Sequence, residues 1–442
     1  RGLEFENKTE QVEEYTRPQA MILIANERNR YENAYSDKIW QVPVGDEAAG
    51  FDKLTVQNVK QFMEELKLLG MLANERGIAA NSTDKDLIRQ ITDEYMNRLT
   101  EGDLAYIGCD RADVESFKEN PGSFFGWIYF TITFVLLAIP LFFVAPIVSA
   151  ILIVVGLFIV LMQFGLYKKF IDKCFPEKTG HNVTALKKPT GEVKRRIIFN
   201  GHPDAAWEWP VNYALGGVGF EGHAVICAIG AVFYLVLSIM ACAQGRAFGT
   251  VGSVEGLTKI ALWGLLFVPF LVGLYWMWNK NRVVDGANDN LSGCYMGIAI
   301  LKALKDEGIE LENTELGVVL TGSEEAGLRG AKAWCEAHQG EFDDVPTFII
   351  SYDTIYDPKY LMTNYRDLNG TVKADKDVSD LFMEAAKAVD IPCKKGWVPP
   401  LGGATDSAAF AQAGFRATGV TGLNHKLENY YHTRRDTYDN MN

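Results

Sequence analysis

Three long uncharged runs constrain how this chain can fold. Residues 122–167, 224–245 and 260–279 contain no Asp, Glu, Lys or Arg. A helix that crosses a bilayer needs about 20 apolar residues, whereas buried helices of soluble cores have shorter apolar runs. The first run is long enough for two crossings, with Pro140 or Pro146 near the turn between them. The sequence therefore predicts four transmembrane helices in two hairpins, with a set of buried helices in a large soluble core as the alternative.

The polar parts of the chain lie before, between and after these hairpins. We predict an N-terminal region at 1–121, hairpins at 122–168 and 223–280, and one domain outside the bilayer made from 169–222 and 281–442. Each hairpin contributes an even number of crossings, so the chain returns to the side that it left. Both parts of the interrupted domain can therefore meet on one side of the membrane.

The N-terminal region is predicted to be mostly helical and to pack on that domain. Residues 56–76 carry apolar side chains at helical spacing, including Val59, Phe62 and Met63. A capping box that begins at Thr83 opens a second predicted helix, which runs to about Leu99. Nothing in this region indicates chemistry.

The interrupted domain alternates helical patterns with short apolar strands. The predicted strands are Asn182–Leu186, Arg196–Phe199, Leu316–Leu320, Thr347–Ser351 and Ala417–Val420. A helical pattern from about Cys294 to Lys305 separates two of them. Such alternation predicts a sheet flanked by helices, in which ligands bind at the carboxyl ends of strands.

Charge and cysteine content exclude some classes of function. The net charge of −13 argues against a nucleic-acid partner, because phosphate binding needs a basic surface. Seven cysteines without CxxC spacing indicate free thiols in a reducing compartment. The basic residues that flank the hairpins on the domain's side (Lys118, Lys168, Lys169, Lys173, Lys280, Arg282) outnumber those in the opposite loops (Arg246, Lys259). The positive-inside bias therefore predicts an integral, multi-pass protein with a cytoplasmic domain.

The domain also carries an ordered set of potential metal ligands. These are His202 and Asp204, Asp289, the pair Glu324 and Glu325, Asp353, and His432. Each lies in a turn-like setting after an apolar run. Zinc and similar ions take imidazole nitrogen and carboxylate oxygen as ligands, and two ions about 3.5–4 Å apart need such an inventory with one shared carboxylate. The set predicts a two-metal hydrolase.

The local setting of each residue indicates its chemistry. His202 ends a strand and can present a neutral imidazole, while Asp204 can orient that ring. The turn around Asp289 lets a carboxylate bridge two ions. Adjacent carboxylates at Glu324 and Glu325 diverge, so that one can bind metal while the other handles the proton of the attacking water.

These motifs resemble a zinc metallopeptidase family that includes double-zinc aminopeptidases, glutamate carboxypeptidase and glutaminyl cyclase. The matching stretches, besides Asp353, are Gly-His-Pro-Asp (201–204), Gly-Ala-Asn-Asp-Asn (286–290), Gly-Ser-Glu-Glu-Ala-Gly-Leu-Arg-Gly-Ala (322–331), Thr-Asp-Ser-Ala-Ala-Phe (405–410) and Tyr-His-Thr-Arg-Arg-Asp-Thr (431–437). The resemblance covers residues 175–222 and 283–442. It implies an α/β fold, with a three-layer α/β/α zinc-peptidase domain and a mixed central sheet, to which this chain adds four transmembrane helices.

The resemblance also implies roles for single residues. It assigns His202 and Asp353 to one zinc ion, Glu325 and His432 to a second, and Asp289 to both. Glu324 resembles the general base, Asp204 the residue that orients His202, and Asp406 and Asp436 match positions that we interpret as structural.

We therefore expect a membrane-anchored exopeptidase, an aminopeptidase, that acts on peptides at the cytoplasmic face and uses two zinc ions. A glutaminyl-cyclase-like aminoacyltransferase with one working zinc is one alternative. A non-catalytic membrane scaffold that binds metal for stability is another, and carboxypeptidase activity and oligomerisation stay open. Trp207 and Trp209 are predicted either to wall a substrate pocket or to lie at the membrane interface.

Overall fold

The computed structural model describes residues 27, 31, 37–44, 49–75, 104, 107–249, 256–400, 402–423 and 430–441, with residues 65–75 described by their backbone alone. The second predicted N-terminal helix lies outside the described residues. The chain forms two compact units, residues 1–107 and 108–442.

The first unit contains one long helix in its described part. Helix α1 spans Phe51–Glu75 and follows a 3-10 turn at Asp37–Gln41. A short ribbon pairs Pro43–Val44 with Ala49–Gly50. The rings of Tyr31 and Trp40 lie 4.8 and 5.9 Å from that of Phe51 at the start of the helix.

The second unit is built on an eight-stranded sheet. Its strands are β1 (Arg111–Glu119), β2 (Lys178–Lys187), β3 (Arg195–Gly201), β4 (Thr314–Thr321), β5 (Thr347–Asp353), β6 (Met362–Asn364), β7 (Lys394–Gly396) and β8 (Arg416–Thr421). Their order across the sheet is β7-β6-β8-β5-β3-β4-β2-β1. Strands β8, β5, β3 and β4 run parallel, and β2 and β1 extend the sheet antiparallel. The predicted mixed α/β sheet is confirmed.

Helices cover both faces of this sheet. They are α7 (Ser292–Asp306), α8 (Arg329–Ala337), α9 (Lys376–Ala388) and α10 (Asp406–Gln412). Side chains alternate along a strand, so Ile198 packs with Trp334 of α8 and Phe410 of α10, whereas Phe199 faces Gly297 of α7. Strand β4 is buried along its whole length, as expected for an apolar strand covered on both faces.

In the part of the chain that the structure describes, four helices are long and apolar enough to cross a membrane. Their candidate spans are Pro121–Phe142, Pro146–Gly165, Pro210–Ala243 and Leu257–Trp276. Within them the regular helices are α2 (Trp127–Phe142), α3 (Pro146–Val160), α4 (Pro210–Ala243), α5 (Leu257–Gly264) and α6 (Val268–Gly273). They share an apolar core that includes Val135, Ile153, Tyr234 and Leu271. Hydrogen bonds from Thr131 to Gly156 O and from Ser238 to Ser149 join neighbouring helices.

Two boundaries differ from the sequence prediction. Arg111–Glu119 lies in the region predicted to be mostly helical, yet it forms edge strand β1, because β2 supplies its hydrogen-bond partners in register from Leu186 to Lys178. Helix α4 begins at Pro210, well before the predicted start of the second hairpin at residue 223, with a break at Gly216 where φ is 68°. Glycine adopts this left-handed conformation without steric cost.

Candidate metal site at the carboxyl ends of the central strands

The potential metal ligands converge where the parallel strands end. His202 follows β3 and Asp353 ends β5. Glu324 and Glu325 lie in the turn between β4 and α8. The carboxyl ends of adjacent parallel strands meet at one edge of a sheet, where ligands bind in such folds. The sheet therefore brings together residues that lie far apart in the sequence.

The ligand atoms form two triads that share Asp289. His202, Asp289 and Asp353 make one triad, and Asp289, Glu325 and His432 make the other, with the atoms of each triad within 4.8 Å of one another. Asp289 Oδ1 lies 3.5 Å from His202 Nε2, and its Oδ2 lies 3.0 Å from His432 Nε2. The two oxygens of one carboxylate thus face two different histidines.

Buried atoms at this site lack hydrogen-bond partners among the described residues. They are His202 Nε2, Asp289 Oδ2, Glu325 Oε1, and both ring nitrogens of His432. Buried polar atoms are nearly always satisfied in folded proteins. Imidazole and carboxylate groups with unused lone pairs at this spacing fit divalent cations such as zinc.

The electrostatics of the site also favour a cation. Burial, then the nearby Asp289, raises the pKa of Asp353 to about 7. Burial also raises the pKa of Glu324 well above its usual range. Burial lowers the pKa of His432, but Glu325 and Asp289 outweigh it and raise that pKa to about 10. Crowded carboxylates therefore compete for protons here, and bound metal would relieve their repulsion.

Backbone hydrogen bonds fix the turn that carries the paired glutamates. Asp204 accepts hydrogen bonds from Glu324 N at 3.0 Å and from Glu325 N at 3.1 Å. Its Oδ1 lies 3.6 Å from His202 Nδ1, and its carbonyl oxygen lies 3.1 Å from the same nitrogen. Asp204 therefore contacts His202 and also holds the glutamate turn, a second contact that the sequence analysis missed.

A second carboxylate fixes the turn that carries Asp289. Asp436 accepts hydrogen bonds from Asn288 N and Asp289 N, at 2.8 and 3.0 Å. On the other side, Asn290 donates to Tyr352 O and accepts from Thr354 N, which ties the turn to β5. Asn288 and Asn290 flank Asp289 in the sequence, and such polar neighbours could have indicated a hydrogen-bonded turn. The sequence analysis did not use this signal.

Aromatic rings hold His432. Its ring lies 4.0 Å from that of Tyr431, nearly parallel, and 4.3 Å from that of Trp209, nearly perpendicular. Trp209 N also donates to His432 O, at 2.8 Å. Trp207 instead packs on Trp278, next to Lys280, 5.4 Å between ring centroids. The two tryptophans thus lie in different surroundings, one against the site and the other in an aromatic cluster near the apolar helices.

Several other histidines and charged residues lie apart from the triads. His338 contacts Glu115 and Glu341, and His223 contacts Phe270 O. Asp406 accepts a hydrogen bond from Thr321 at the end of β4. Arg434 pairs with Glu208. His425 lies outside the described residues.

Comparison with known proteins agrees with the resemblance seen in the sequence. Residues 275–442 match the model of Peptidase family M28. This segment contains Asp289, Glu324, Glu325, Asp353 and His432, whereas His202 and Asp204 precede it. The expected similarity to a zinc metallopeptidase family is confirmed. No curated protein matches the chain.

The solved structures that match part of this chain include peptidases. An aminopeptidase from Aneurinibacillus sp. strain AM-1 is 18% identical, with a TM-score of 0.35, and the match covers 60% of this chain and 44% of that one. A zinc aminopeptidase from Bacillus subtilis is 15% identical, with a TM-score of 0.35 and coverages of 60% and 46%. A Zn-dependent exopeptidase from Parabacteroides distasonis is 9% identical, with a TM-score of 0.39 and coverages of 81% and 84%. This chain spans less than half the length of the first two.

Proposed function

We propose that this protein is a membrane-anchored exopeptidase that removes N-terminal residues from peptides with the help of two zinc ions. The observation that carries the proposal is the pair of buried ligand triads that share Asp289. His202 and Asp353 would hold one ion, Glu325 and His432 the other, and Asp289 both. When bound, zinc polarises a carbonyl group and lowers the pKa of water to about 7.

Glu324 is the general base in this proposal. Its Oε2 lies 3.9 Å from His202 Nε2, beside the triads but in neither of them. Asp204 accepts a hydrogen bond from the backbone N–H of Glu324 and so holds it in place. The carboxylate is therefore placed to take a proton from the attacking water and to deliver it to the leaving amine. Once it has taken that proton, the same carboxyl group can act as the general acid, so one residue performs both transfers.

The apolar helices support membrane anchoring. The side chains on the outer surface of these helices are apolar, like those that pack between the helices. Among them, Ile151 and Ile239 are each 54% exposed, and Trp263 is 73% exposed. A helix that is apolar all round is buried in protein or in lipid. We propose two hairpins in the bilayer, with the peptidase domain on the cytoplasmic side. Labelling of the exposed Cys174 by an impermeant thiol reagent would test the side.

Measurements of turnover and of metal content together test the proposed peptidase activity. The purified full chain should release fluorophore from aminoacyl amides, contain two zinc ions, and lose activity with a chelator. Glu324→Gln should keep both ions and abolish turnover. Glu336→Gln is the matched control, because Glu336 lies on α8 with a side chain that is 73% exposed.

The outcomes separate this proposal from its alternatives. Full activity of Glu324→Gln would remove the general-base role. One zinc ion, with ammonia released from N-terminal glutamine, would instead establish a cyclase. Metal that raises the melting temperature without any cleavage of peptides would establish a scaffold.

A further inference from the structure

The loops that carry the metal ligands lie against the ends of the apolar helices. The ring of His432 lies 4.3 Å from that of Trp209, which stacks on Phe220 of α4 at 4.4 Å. On the glutamate turn, an added Cβ on Gly327 would lie 2.7 Å from the ring of Phe124, which belongs to the first apolar span. The carboxyl ends of the central strands therefore face the apolar helices, and the metal site lies close to the point where two of these helices begin.

Helix α4 is longer than a bilayer requires. It spans Pro210–Ala243, whereas residues 224–243 alone reach about 30 Å, the thickness of the hydrocarbon core. Glu221 precedes this crossing segment and Arg246 follows it, with no charged residue between them. In the proposed membrane arrangement, the extra length of α4 therefore lies on the side of the metal site. There residues 210–222 form a segment that we call the elbow.

The elbow is tied to the backbone around His432. Asn212 Nδ2 donates to Tyr431 O at 2.7 Å. Arg435 Nη1 donates to Tyr213 O at 3.0 Å, and its guanidinium carbon lies 4.2 Å from the centre of the Tyr213 ring. These contacts lie on both sides of His432 in the sequence. The elbow thus holds a fixed position beside the metal site.

Two apolar side chains of the elbow are exposed. Val218 is 82% exposed and Leu215 is 68% exposed. Leu215 lies next to Gly219, where an added Cβ would be 2.3 Å from the Leu215 Cβ. The two exposed side chains are therefore neighbours and form one surface, the elbow patch. Exposed apolar patches mark surfaces that bind lipid or an apolar partner.

An exposed apolar stripe connects this patch to the crossing segment of α4. After Val218 the stripe continues with the exposed side chains of Val225, Ile229 and Val232. Residues three, four or seven positions apart lie on one face of a helix. An apolar segment that lies along α4 in the bilayer would therefore meet the elbow patch at its upper end, directly beside the metal site.

We propose that the substrates are peptides anchored in the same bilayer by an apolar segment, and that the elbow patch contacts this segment where it leaves the bilayer. The proposal rests on the proposed peptidase function and adds the class of its substrate. The free N-terminus of the anchored peptide enters the metal site, and the anchor stays beside α4.

The distance from the bilayer to the metal site is short. Phe220 precedes the crossing segment by about 6 Å along the helix. Two ring contacts, of 4.4 and 4.3 Å, then lead from Phe220 through Trp209 to His432. A spacer of six residues reaches about 20 Å when it is extended. Such a spacer is therefore long enough to bring the N-terminus of an anchored peptide to the site.

Hydrolysis in vesicles of phosphatidylcholine and phosphatidylglycerol tests the substrate class. The full chain would receive peptides of one N-terminal sequence, either without an anchor or with a polyleucine transmembrane helix after spacers of six or fifteen residues, which reach about 20 or 50 Å. We expect the six-residue spacer to raise kcat/KM at least about 10-fold over the unanchored peptide, because anchoring raises the local concentration. Equal values for both, or cleavage only with the longer spacer, would overturn the proposal.

A variant of the elbow tests the patch itself. Leu215→Ser/Val218→Ser should lower the ratio of anchored to unanchored kcat/KM at least about fourfold, the effect of losing one methylene contact. Val389→Ser is the matched control, because Val389 is a 64% exposed apolar side chain at the end of α9. It should leave the ratio unchanged. An unchanged ratio in the elbow variant would mean that the patch contacts lipid alone, and it would overturn the proposal, as would an equal loss in Val389→Ser.

Photo-cross-linking follows the path of the peptide without any turnover. The peptide with the six-residue spacer would carry a diazirine amino acid next to its anchor, and mass spectrometry should find cross-links to residues 210–222. Cross-links to other segments alone, or none, would overturn the proposal. A wild-type chain that cleaves neither the anchored nor the unanchored peptide would refute the peptidase function, while the cross-links still judge whether the elbow binds an anchored peptide.

Discussion

The ion pair between Arg329 and Asp172 links the glutamate turn to the end of the first pair of apolar helices. Arg329 is 2% exposed, and its Nη2 lies 2.8 Å from Asp172 Oδ1. Ser123 and Gln163 donate to the same oxygen, at 2.7 and 3.0 Å. Arg329 Nε and Nη1 have no hydrogen-bond partner among the described residues. The guanidinium thus depends on Asp172 for its charge compensation.

Asp172→Ala should therefore strongly destabilise the unit. Removing one partner of a buried ion pair costs about 3–5 kcal/mol, since the other charge is left uncompensated. Unfolding of a unit of about 335 residues carries an entropy of about 0.7 kcal/mol/K near 60 °C, so the melting temperature should fall by about 4–7 °C. The glutamate turn should also lose order, with a drop in kcat.

Thermal unfolding of the full chain in detergent measures this effect. Asp306→Ala is the control, because it breaks an exposed pair with Lys302 in which the two side chains are 57% and 60% exposed. It should shift the melting temperature by about 1 °C or less. The double variant Asp172→Leu/Arg329→Met should recover most of the loss, since apolar groups replace both charges. A shift below 1 °C for Asp172→Ala, or a double variant less stable than the single one, would refute the reasoning.

Three further predictions concern the metal site and the core. Asp436→Ala removes the acceptor of two backbone N–H groups at the metal-site turn, so zinc affinity measured by calorimetry should fall about 10–100-fold. Trp334→Ala empties a site that is 0% exposed and should cost about 3–5 kcal/mol in thermal unfolding. Burial lowers the pKa of His338, but Glu115 and a second glutamate outweigh it and raise that pKa above 6.5. The contribution of protonated His338 to the free energy of unfolding is thus complete below pH 6.5. It is lost as the pH rises through the raised pKa. His338→Gln should flatten the dependence of melting temperature on pH in that range.

The sequence identified the apolar helices and the ligand residues because both signals are local. A run without charge over about 20 residues is read from composition alone, and all four predicted helices are long and apolar enough to span. Strand β4 could be predicted from its continuous apolar run. Edge strand β1 could not, because Arg111–Glu119 is polar and owes its extended form to hydrogen bonds with β2.

The tertiary structure decided which functional groups come into contact. His202 and His432 contact opposite oxygens of Asp289 although 230 residues separate the two histidines. His202 follows parallel strand β3, whereas a hydrogen bond from Trp209 N holds the backbone of His432. The hydrogen bonds from the glutamate turn to Asp204 likewise join distant segments. By itself the sequence determined the ligand inventory and the apolar helices, since each depends on neighbouring residues. Only the folded sheet and the hydrogen-bonded turns beside it determined the distances between those ligands, because those distances follow from contacts between segments far apart in the chain.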